Sequence, residues 1–257
     1  MVAAVKLVAS LIVHNEMGHY LKPCISSLQE FCDDIRVLDD ASGDGSYEWL
    51  REQGVSVIGS EHARFFIHEG NARNELLRWT LKAEPTHVLA IDADEFISDG
   101  RALRQAVEHH PENRVWTLKM EEVWKADENS LWIRQDGGWH AHETTSLWRV
   151  PEQMGMDWRI SDRALACGRE PEPVREMYRK SVKTGQSILH FGWANEAGRS
   201  DRYQRYVTHD GGEFHANQHI QSIMYPDNRV RLQGRPWPES LIGLRADLLQ
   251  RVVAPSS

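Results

Sequence analysis

Cysteine is scarce in this 257-residue chain; the three present (Cys24, Cys32, Cys167) form no Cys-x-x-Cys pair and leave an odd one out. A disulfide framework is therefore not expected, and a reducing, cytoplasmic setting fits best. Long apolar runs are missing too: none approaches the roughly 20 residues that a membrane span needs. The apolar opening from Met1 to Val13 carries one lysine, lacks a basic start and leads directly into His14-Asn15-Glu16. It reads as a strand and not as a signal peptide. There is no internal repeat and no low-complexity segment, and 40% of residues are hydrophobic with 26% charged. Collagen, coiled coil and a fully disordered chain are excluded, and the length suffices to bury a real core.

Positive charge is in short supply, and its placement is uneven. The formal net charge is −8, but residues 1–100 hold 8 Lys/Arg against 17 Asp/Glu, whereas residues 101–257 hold 22 against 21. A protein that coats a nucleic-acid duplex carries a basic excess, because phosphate contacts dominate its affinity. The N-terminal part instead repels polyanions unless a divalent cation intervenes. Tryptophan is lopsided in the other direction: only Trp49 and Trp79 of the ten lie in the first hundred residues. Eight in the remainder suggest an aromatic-lined surface, with core packing as the plainer account.

The first hundred residues alternate strand and helix signals. Val5 to Val13 is a continuous apolar run, as expected of a strand buried on both faces. Leu21 to Cys32 has a helical apolar face, with Pro23 near its start. Ile35 to Leu38 reads as a second strand, and Asp39 to Ser46 as a turn whose Ser46 is placed to cap a helix over Tyr47 to Gln53. A strand at Val55–Ile58, a helix at Asn71–Lys82 and a strand at His87–Ile91 follow. This alternation predicts an α/β fold with a mostly parallel sheet flanked by helices. In such sheets ligands bind at the carboxyl ends of the strands. The polar clusters fall there: His14-Asn15-Glu16, Asp39-Asp40 and Asp92 to Glu95. Beyond about residue 100 the pattern becomes mixed, with short β-prone pieces, an irregular stretch over 151–173 and a helix over 200–209.

Asp92-x-Asp94 at the end of an apolar strand sets two carboxylates at one sheet edge. Clustered carboxylates repel unless a cation neutralises them, so the pattern points to a hard divalent ion that keeps several waters and takes further ligands from substrate phosphates. An isolated pair of this kind reads more simply as a solvated turn. Asp39-Asp40 supplies a second acidic pair at a neighbouring strand end, and two such pairs make the coincidence less probable.

Four segments together carry a resemblance: Leu11-Ile-Val-His-Asn-Glu16, Val37-Leu-Asp-Asp-Ala-Ser-Gly-Asp-Gly-Ser46, Gly70-Asn-Ala-Arg-Asn74 and Leu89-Ala-Ile-Asp-Ala-Asp-Glu95. In order and spacing they resemble the family 2 glycosyltransferases of the GT-A fold, over residues 5 to about 100. Ala41 and Gly43 depart mildly from that pattern, where glycine and threonine are commoner. The resemblance implies a Rossmann-like sheet with a smaller mixed region on the acceptor side. It implies nucleotide-sugar binding by residues 1–100 and acceptor binding by residues 101–257 of the same domain. The donor would be a UDP- or GDP-type sugar and the cofactor Mn²⁺ or Mg²⁺. Asp40 would accept a hydrogen bond from the base with Asp39 close by. Arg73 would contact base or diphosphate, and Asn15 and Glu16 would edge the pocket. Asp92 would hold the ribose or a metal-bound water, and Asp94 the metal itself. The chemistry stands apart from the name: a departing nucleoside diphosphate gains charge in the transition state, which a divalent cation stabilises.

The second part is less legible. Ile188-Leu-His-Phe-Gly192 resembles a segment in which the histidine completes the metal shell, which makes His190 a candidate ligand beside the plainer reading as a structural histidine. The spacing of His140 and His142 puts them on one strand face beside Glu143; no third or fourth zinc ligand at the usual spacing accompanies them, so they are expected to line the acceptor cleft or cap a turn. An inverting transfer, the expected course, requires a carboxylate base near the acceptor hydroxyl. Asp162 and Asp157 are the candidates, with Glu143 and Glu170 behind them. Arg202 and Arg205, on a basic-aromatic helix, are placed to hold the diphosphate or an anionic acceptor, or simply face solvent. The acceptor itself is open among a glycan, a lipid-linked sugar, a protein side chain and a modified base. Two rival functions remain: a sugar nucleotidyltransferase, which wants a glycine-rich basic loop where His14-Asn15-Glu16 stands, and a non-catalytic carbohydrate- or nucleotide-binding relative.

Overall fold

A computed structural model of the chain describes residues 4–65, 67–110, 112–136, 142–155, 158–162, 168–209 and 218–253. The chain opens with β1 (Leu7–Val13), α1 (Leu21–Gln29), β2 (Asp34–Asp39), α2 (Ser46–Glu52), β3 (Ser56–Gly59), α3 (Glu69–Leu81) and β4 (His87–Ala90). It continues with β5 (Glu95–Ile97), α4 (Gly100–His109), β6 (Val115–Ala126), β7 (Ser130–Arg134), β8 (Glu143–Arg149) and α5 (Glu172–Glu176). Last come β9 (Val182–His190), α6 (Glu196–His209), α7 (Gln218–Gln221), β10 (Leu232–Pro236) and α8 (Arg245–Val253). These elements sort into two compact units. One comprises Met1–Ala93, Gly100–Leu118 and Thr144–Gln186; the other comprises Asp94–Asp99, Lys119–Glu143 and Ser187–Ser257. The division expected at residue 100 concerns ligand roles, which is a different criterion from compactness.

The first unit is an α/β layer structure with a mostly parallel sheet. Strands β4, β1, β2 and β3 lie side by side and parallel, with Leu7 opposite His87, Leu11 opposite Val37 and Val37 opposite Val57. β8 adds an antiparallel strand beyond β4, Leu89 facing Leu147. The apolar run of β1, interrupted only by the buried Ser10, is explained by burial on both faces: Leu7, Val8, Ala9 and Leu11 are fully enclosed. Helix α3 lays Ala72 and Leu76 on Leu38, with Ile12, Ile58 and Trp79 packed around them. A further core joins Leu77, Val88, Ala90, Val115, Trp148, Ile160 and Val174. β1 is flanked by β2 on one side and β4 on the other, so the strand order reverses there. A reversal of that kind opens a crevice at the carboxyl ends of the two strands, where His14-Asn15-Glu16 follows β1 and Asp92 follows β4 by two residues.

The second unit is antiparallel. β10, β7 and β6 form a ribbon in which Gln233 and Val123 both face Ile133, with a bulge at Trp124. The short β5 pairs with the end of β9, which sets Glu95 opposite His190. Trp124, Trp193, Ile220 and Ile223 make the core. The Trp124 indole lies between the guanidinium groups of Arg134 and Arg199, 4.4 and 4.2 Å from its ring centre, and donates its Nε1–H to Asp227 at 3.0 Å.

Three sequence expectations change. Ser46 does not cap α2: it is the first helical residue, and Gly45 precedes it in the left-handed region at φ 89°. Asp44 does the capping instead, its Oδ1 accepting from the Ser46 N–H at 3.0 Å and the Ser46 hydroxyl at 2.6 Å. The aromatic-lined surface is not what most of the later tryptophans build, since Trp116, Trp124, Trp148, Trp193 and Trp237 are all buried. The helix expected over 200–209 starts four residues earlier, at Glu196.

Candidate functional site

At the strand ends of the first unit, the segment after β1 and the turn after β2 are laced together. The Asn15 side-chain oxygen accepts from the Gly43 N–H at 2.8 Å, and the Asn15 N–H donates to the Ser42 hydroxyl at 2.9 Å. The Glu16 N–H donates to the Ser46 hydroxyl at 3.1 Å and the Met17 N–H to the Asp44 carboxylate at 2.8 Å. Burial acts to raise the Asp44 pKa, but the hydrogen bonds it accepts from the Ser46 hydroxyl and from the Met17 and Ser46 N–H groups outweigh it and lower it. Two non-glycine residues of this lacing, Asn15 and Ala41, sit in the left-handed region at φ 55° and 60°. That geometry explains why glycine suits position 41. Asn15 and Glu16 thus take part in the site first as architecture, holding the two loops in register.

The two acids after β2 have different surroundings. The Asp40 carboxylate accepts from the backbone N–H groups of Arg64 and Phe65 at 2.9–3.0 Å, so it ties down the segment after β3. Asp39 is 2% exposed; its Oδ1 accepts from the Ser42 N–H at 2.9 Å, while its Oδ2 is buried with no hydrogen-bond partner among the described residues. A buried carboxylate oxygen left unmatched costs free energy, and a ligand N–H is the group that would relieve it. Arg73 is buried against Glu69, Nε to Oε1 2.6 Å, with its guanidinium 5.2 Å over the Phe65 ring. Asp92 pairs with Arg169 at 2.8 Å. Neither Glu69 nor Arg169 was singled out by the sequence. A salt-bridge partner at i−4 on a helix is a readable signal for Glu69, whereas nothing local points to Arg169.

Asp94 belongs to the second unit, and around it lies a compact polar cluster. Its Oδ2 accepts from Arg202 and stands 3.5 Å from His190 Nε2. His190 Nδ1 contacts Glu122 Oε2 at 2.5 Å, and Trp193 meets the imidazole edge-on at 5.7 Å. Burial works to raise the Asp94 pKa, but Arg202 and His190 beside it hold the carboxyl far below the usual range. For His190 burial acts to lower the pKa; Glu122 and Asp94 overcome it and raise it well above the usual imidazole value. Gly192 makes the approach possible: a Cβ there would stand 2.5 Å from His190 Nε2, 2.7 Å from Asp94 Oδ2 and 2.8 Å from Arg202 Nη1. Among the described residues no group of three or more His, Cys, Asp or Glu side chains is arranged to cage a metal. What the second unit offers is a pair, Asp94 and His190, an oxygen and a nitrogen donor 3.5 Å apart; these are donor types that a divalent cation accepts, and a small closing of that gap would let both reach one ion.

The remaining candidates are placed less tellingly. Asp162 is 72% exposed at its side chain and pairs with Arg159. It shares a polar cleft of about 580 Å³ with Arg64, Asn71, Glu75 and Arg78. Asn74 pins the approach to it, accepting from the Ile160 N–H and donating to the Ser161 carbonyl, both at 2.8 Å. His142 is exposed, and its carbonyl accepts from the Met120 N–H at 2.7 Å. Asp157, His140 and the Arg205 side chain lie outside the described residues.

A family model described as glycosyl transferase family 2 matches residues 10–154, more than half of the chain. The chain belongs to that family. The match takes in every strand-end acid and Glu122, and leaves Asp162, His190 and Arg202 outside. No curated protein matches the chain significantly. Among solved structures, glucosyl-3-phosphoglycerate synthase from Mycobacterium tuberculosis, in complex with Mn²⁺, UDP and glucosyl-3-phosphoglycerate, is 20% identical at a TM-score of 0.33. That alignment covers 46% of this chain and 44% of the synthase, so the chain spans less than half of that protein's length. A mannose-1-phosphate geranyltransferase from Thermus thermophilus is 14% identical at a TM-score of 0.33, over 98% of this chain and 80% of that one. Among the described residues of this family 2 member, no helix is long and apolar enough to cross a membrane.

Proposed function

We propose that this family 2 protein transfers a sugar from a nucleoside-diphosphate donor to an acceptor hydroxyl, with a divalent cation and with inversion. The observation that carries the reading is the Asp94–His190 pair, two buried donor atoms 3.5 Å apart beside a glycine whose Cβ would collide with both, in a chain of a sugar-transferring family. Residues 1–100 serve the nucleotide and residues 101–257 the acceptor. Asp39 takes the base through its unmatched Oδ2, and Asp40 acts by fixing the segment at Arg64 and Phe65. Asn15 and Glu16 hold the rim. Arg73, with Glu69 against it, faces base or diphosphate, and Asp92 the ribose.

Asp94 and His190 hold Mn²⁺ or Mg²⁺, which when bound neutralises charge on the departing diphosphate. Arg202 supplies a second cationic group, released from Asp94 to an oxygen of the diphosphate, with Arg205 one helical turn on. Asp162 or Asp157 receives the acceptor proton, and His140 and His142 shape the acceptor side. The acceptor is a glycan, a lipid-linked sugar, a protein side chain or a modified base, and the setting is cytoplasmic in keeping with the few cysteines.

Calorimetric titration with UDP and GDP, each with and without Mn²⁺, tests the reading. Nucleotide binding that tightens with Mn²⁺ in the wild type, and no longer does so in Asp94→Ala, is the expected result. Equal metal dependence in the variant removes Asp94 from the mechanism. Binding without any donor hydrolysis or transfer marks the chain as a non-catalytic relative.

A further inference from the structure

Glu122 lies on β6, a strand whose consecutive acids are used differently. Glu121 is 3% exposed at its side chain and faces two cations, Lys119 at 2.9 Å and Arg235. Glu122 is 8% exposed at its side chain, and what it meets is an imidazole, that of His190. A carboxylate withdrawn from water is costly unless matched, and a neutral amide would hold a strand equally well. The charge therefore asks for an explanation in what it does to the ring. Glu122 takes the Nδ1 side of His190 at 2.5 Å, Trp193 closes one edge of the ring, and Nε2 is left facing Asp94 at 3.5 Å across the space that Gly192 keeps clear.

We infer that Glu122 is a positioning residue for the divalent-cation pair: by accepting the Nδ1 proton it fixes the His190 tautomer and aims Nε2 at the side of Asp94. The inference rests on the reading of Asp94 and His190 as the cation ligands. A histidine with its Nδ1–H given to a carboxylate presents Nε2 as the free nitrogen and is a stronger donor there. The cost of losing such an outer partner is about 10–100-fold in metal affinity.

The test uses the full chain and Mn²⁺ alone, with free ion followed by electron paramagnetic resonance. Glu122→Gln keeps an oxygen for the Nδ1 proton but loses the charge, and is expected to weaken Mn²⁺ binding by about 10-fold; Glu122→Ala is expected to approach 100-fold. Because Glu122 acts through the ring, the double variant Glu122→Ala/His190→Ala is expected to bind no more weakly than His190→Ala alone. A general loss of structure would instead add. Nitrogen-15 spectra of labelled histidine in metal-free protein, recorded at a pH high enough to make the ring neutral, give a second readout: Nδ1 protonated in the wild type and in Glu122→Gln, a mixed tautomer in Glu122→Ala. Should Glu122→Ala unfold, Glu122→Gln with an unchanged melting temperature still decides. Wild-type Mn²⁺ affinity in both Glu122 variants while His190→Ala loses it overturns the inference and leaves the ligand pair standing. Wild-type affinity in His190→Ala overturns both.

Discussion

Gly192→Ala places a single methyl group where the polar cluster of the second unit has least room. Ordinary contact begins near 3.4 Å, whereas the new Cβ would stand 2.5 Å from His190 Nε2, 2.7 Å from Asp94 Oδ2 and 2.8 Å from Arg202 Nη1. Arg202 yields readily because the contact is the far end of a long side chain. The other two cannot yield cheaply. His190 is held from behind by Glu122 and Trp193, and Asp94 by the Phe191 N–H that donates to its carbonyl at 2.8 Å. The pair is therefore displaced by most of an ångström, and a misplacement of about 1 Å at a reacting centre costs about 100-fold in rate. The backbone at 192 is not in the left-handed region, so alanine adds no torsional strain and the cost to the fold is the overpacking alone, about 1–3 kcal/mol. The assay is Mn²⁺-dependent donor hydrolysis without acceptor, beside a thermal melt, with Gly243→Ala as the control because nothing lies within 4 Å of its Cβ position. We expect hydrolysis to fall about 100-fold in the first variant and to persist in the second. Full hydrolysis and full Mn²⁺ affinity in Gly192→Ala would refute the placement of the ion beside Asp94 and His190.

The acids after β2 separate by the same logic. Asp39→Asn is expected to weaken nucleoside-diphosphate binding by about 1–3 kcal/mol with an unchanged melt. Asp40→Ala, which removes both oxygens that accept from the Arg64 and Phe65 N–H groups, is expected to lower the melting temperature first. The reverse assignment in calorimetry and melting would exchange their roles. The third expectation concerns acid. His87 is 2% exposed, and its pKa is lowered to about 4 by burial and by the charges of Arg149 and Arg104. An unfolded histidine takes its proton near pH 6.5, before the folded one does, so stability is full above that value and falls as the pH drops from about 6.5 towards 4. The loss amounts to about 2 kcal/mol between pH 7 and 5. Urea unfolding of His87→Phe should lack that part of the pH slope; an identical slope in both proteins refutes it.

The parts of the fold legible in the sequence are those in which local pattern and tertiary environment agree. β1 and β4 read as strands because their apolar runs are buried on both faces, and α3 reads as a helix because Ala72, Leu76 and Leu77 repeat at helical spacing. The carboxyl-end acids were visible for the same reason, since they stand where those runs stop. β5 and β10 were not visible. β5 is three residues long, and β10 is a mostly exposed edge containing Gly234 and a final Pro236; pairing with distant strands makes them, not propensity. Ser46 misled because serine before a helix is a capping signal, and only the structure shows Asp44 two residues earlier taking that part. Glu122 was passed over because nothing around it in β6 distinguishes it from Glu121. What sets it apart is His190, 68 residues further on.

The order in which the ribosome delivers the cluster follows from the same separations. Asp94 leaves the tunnel well before the groups that compensate its charge: His190 comes much later, and Arg202 follows Asp94 by 108 residues. At about 5–20 residues per second, that is an interval of roughly 5–20 s. For most of it β5 lacks β9, its antiparallel partner. A nascent chain stalled before residue 190 can carry the entire strand–helix alternation of β1 to β4 while its Asp94 carboxylate has neither arginine nor histidine to meet it. The Asp94–His190–Arg202 cluster is therefore completed only after the strand–helix alternation of β1 to β4 has been made.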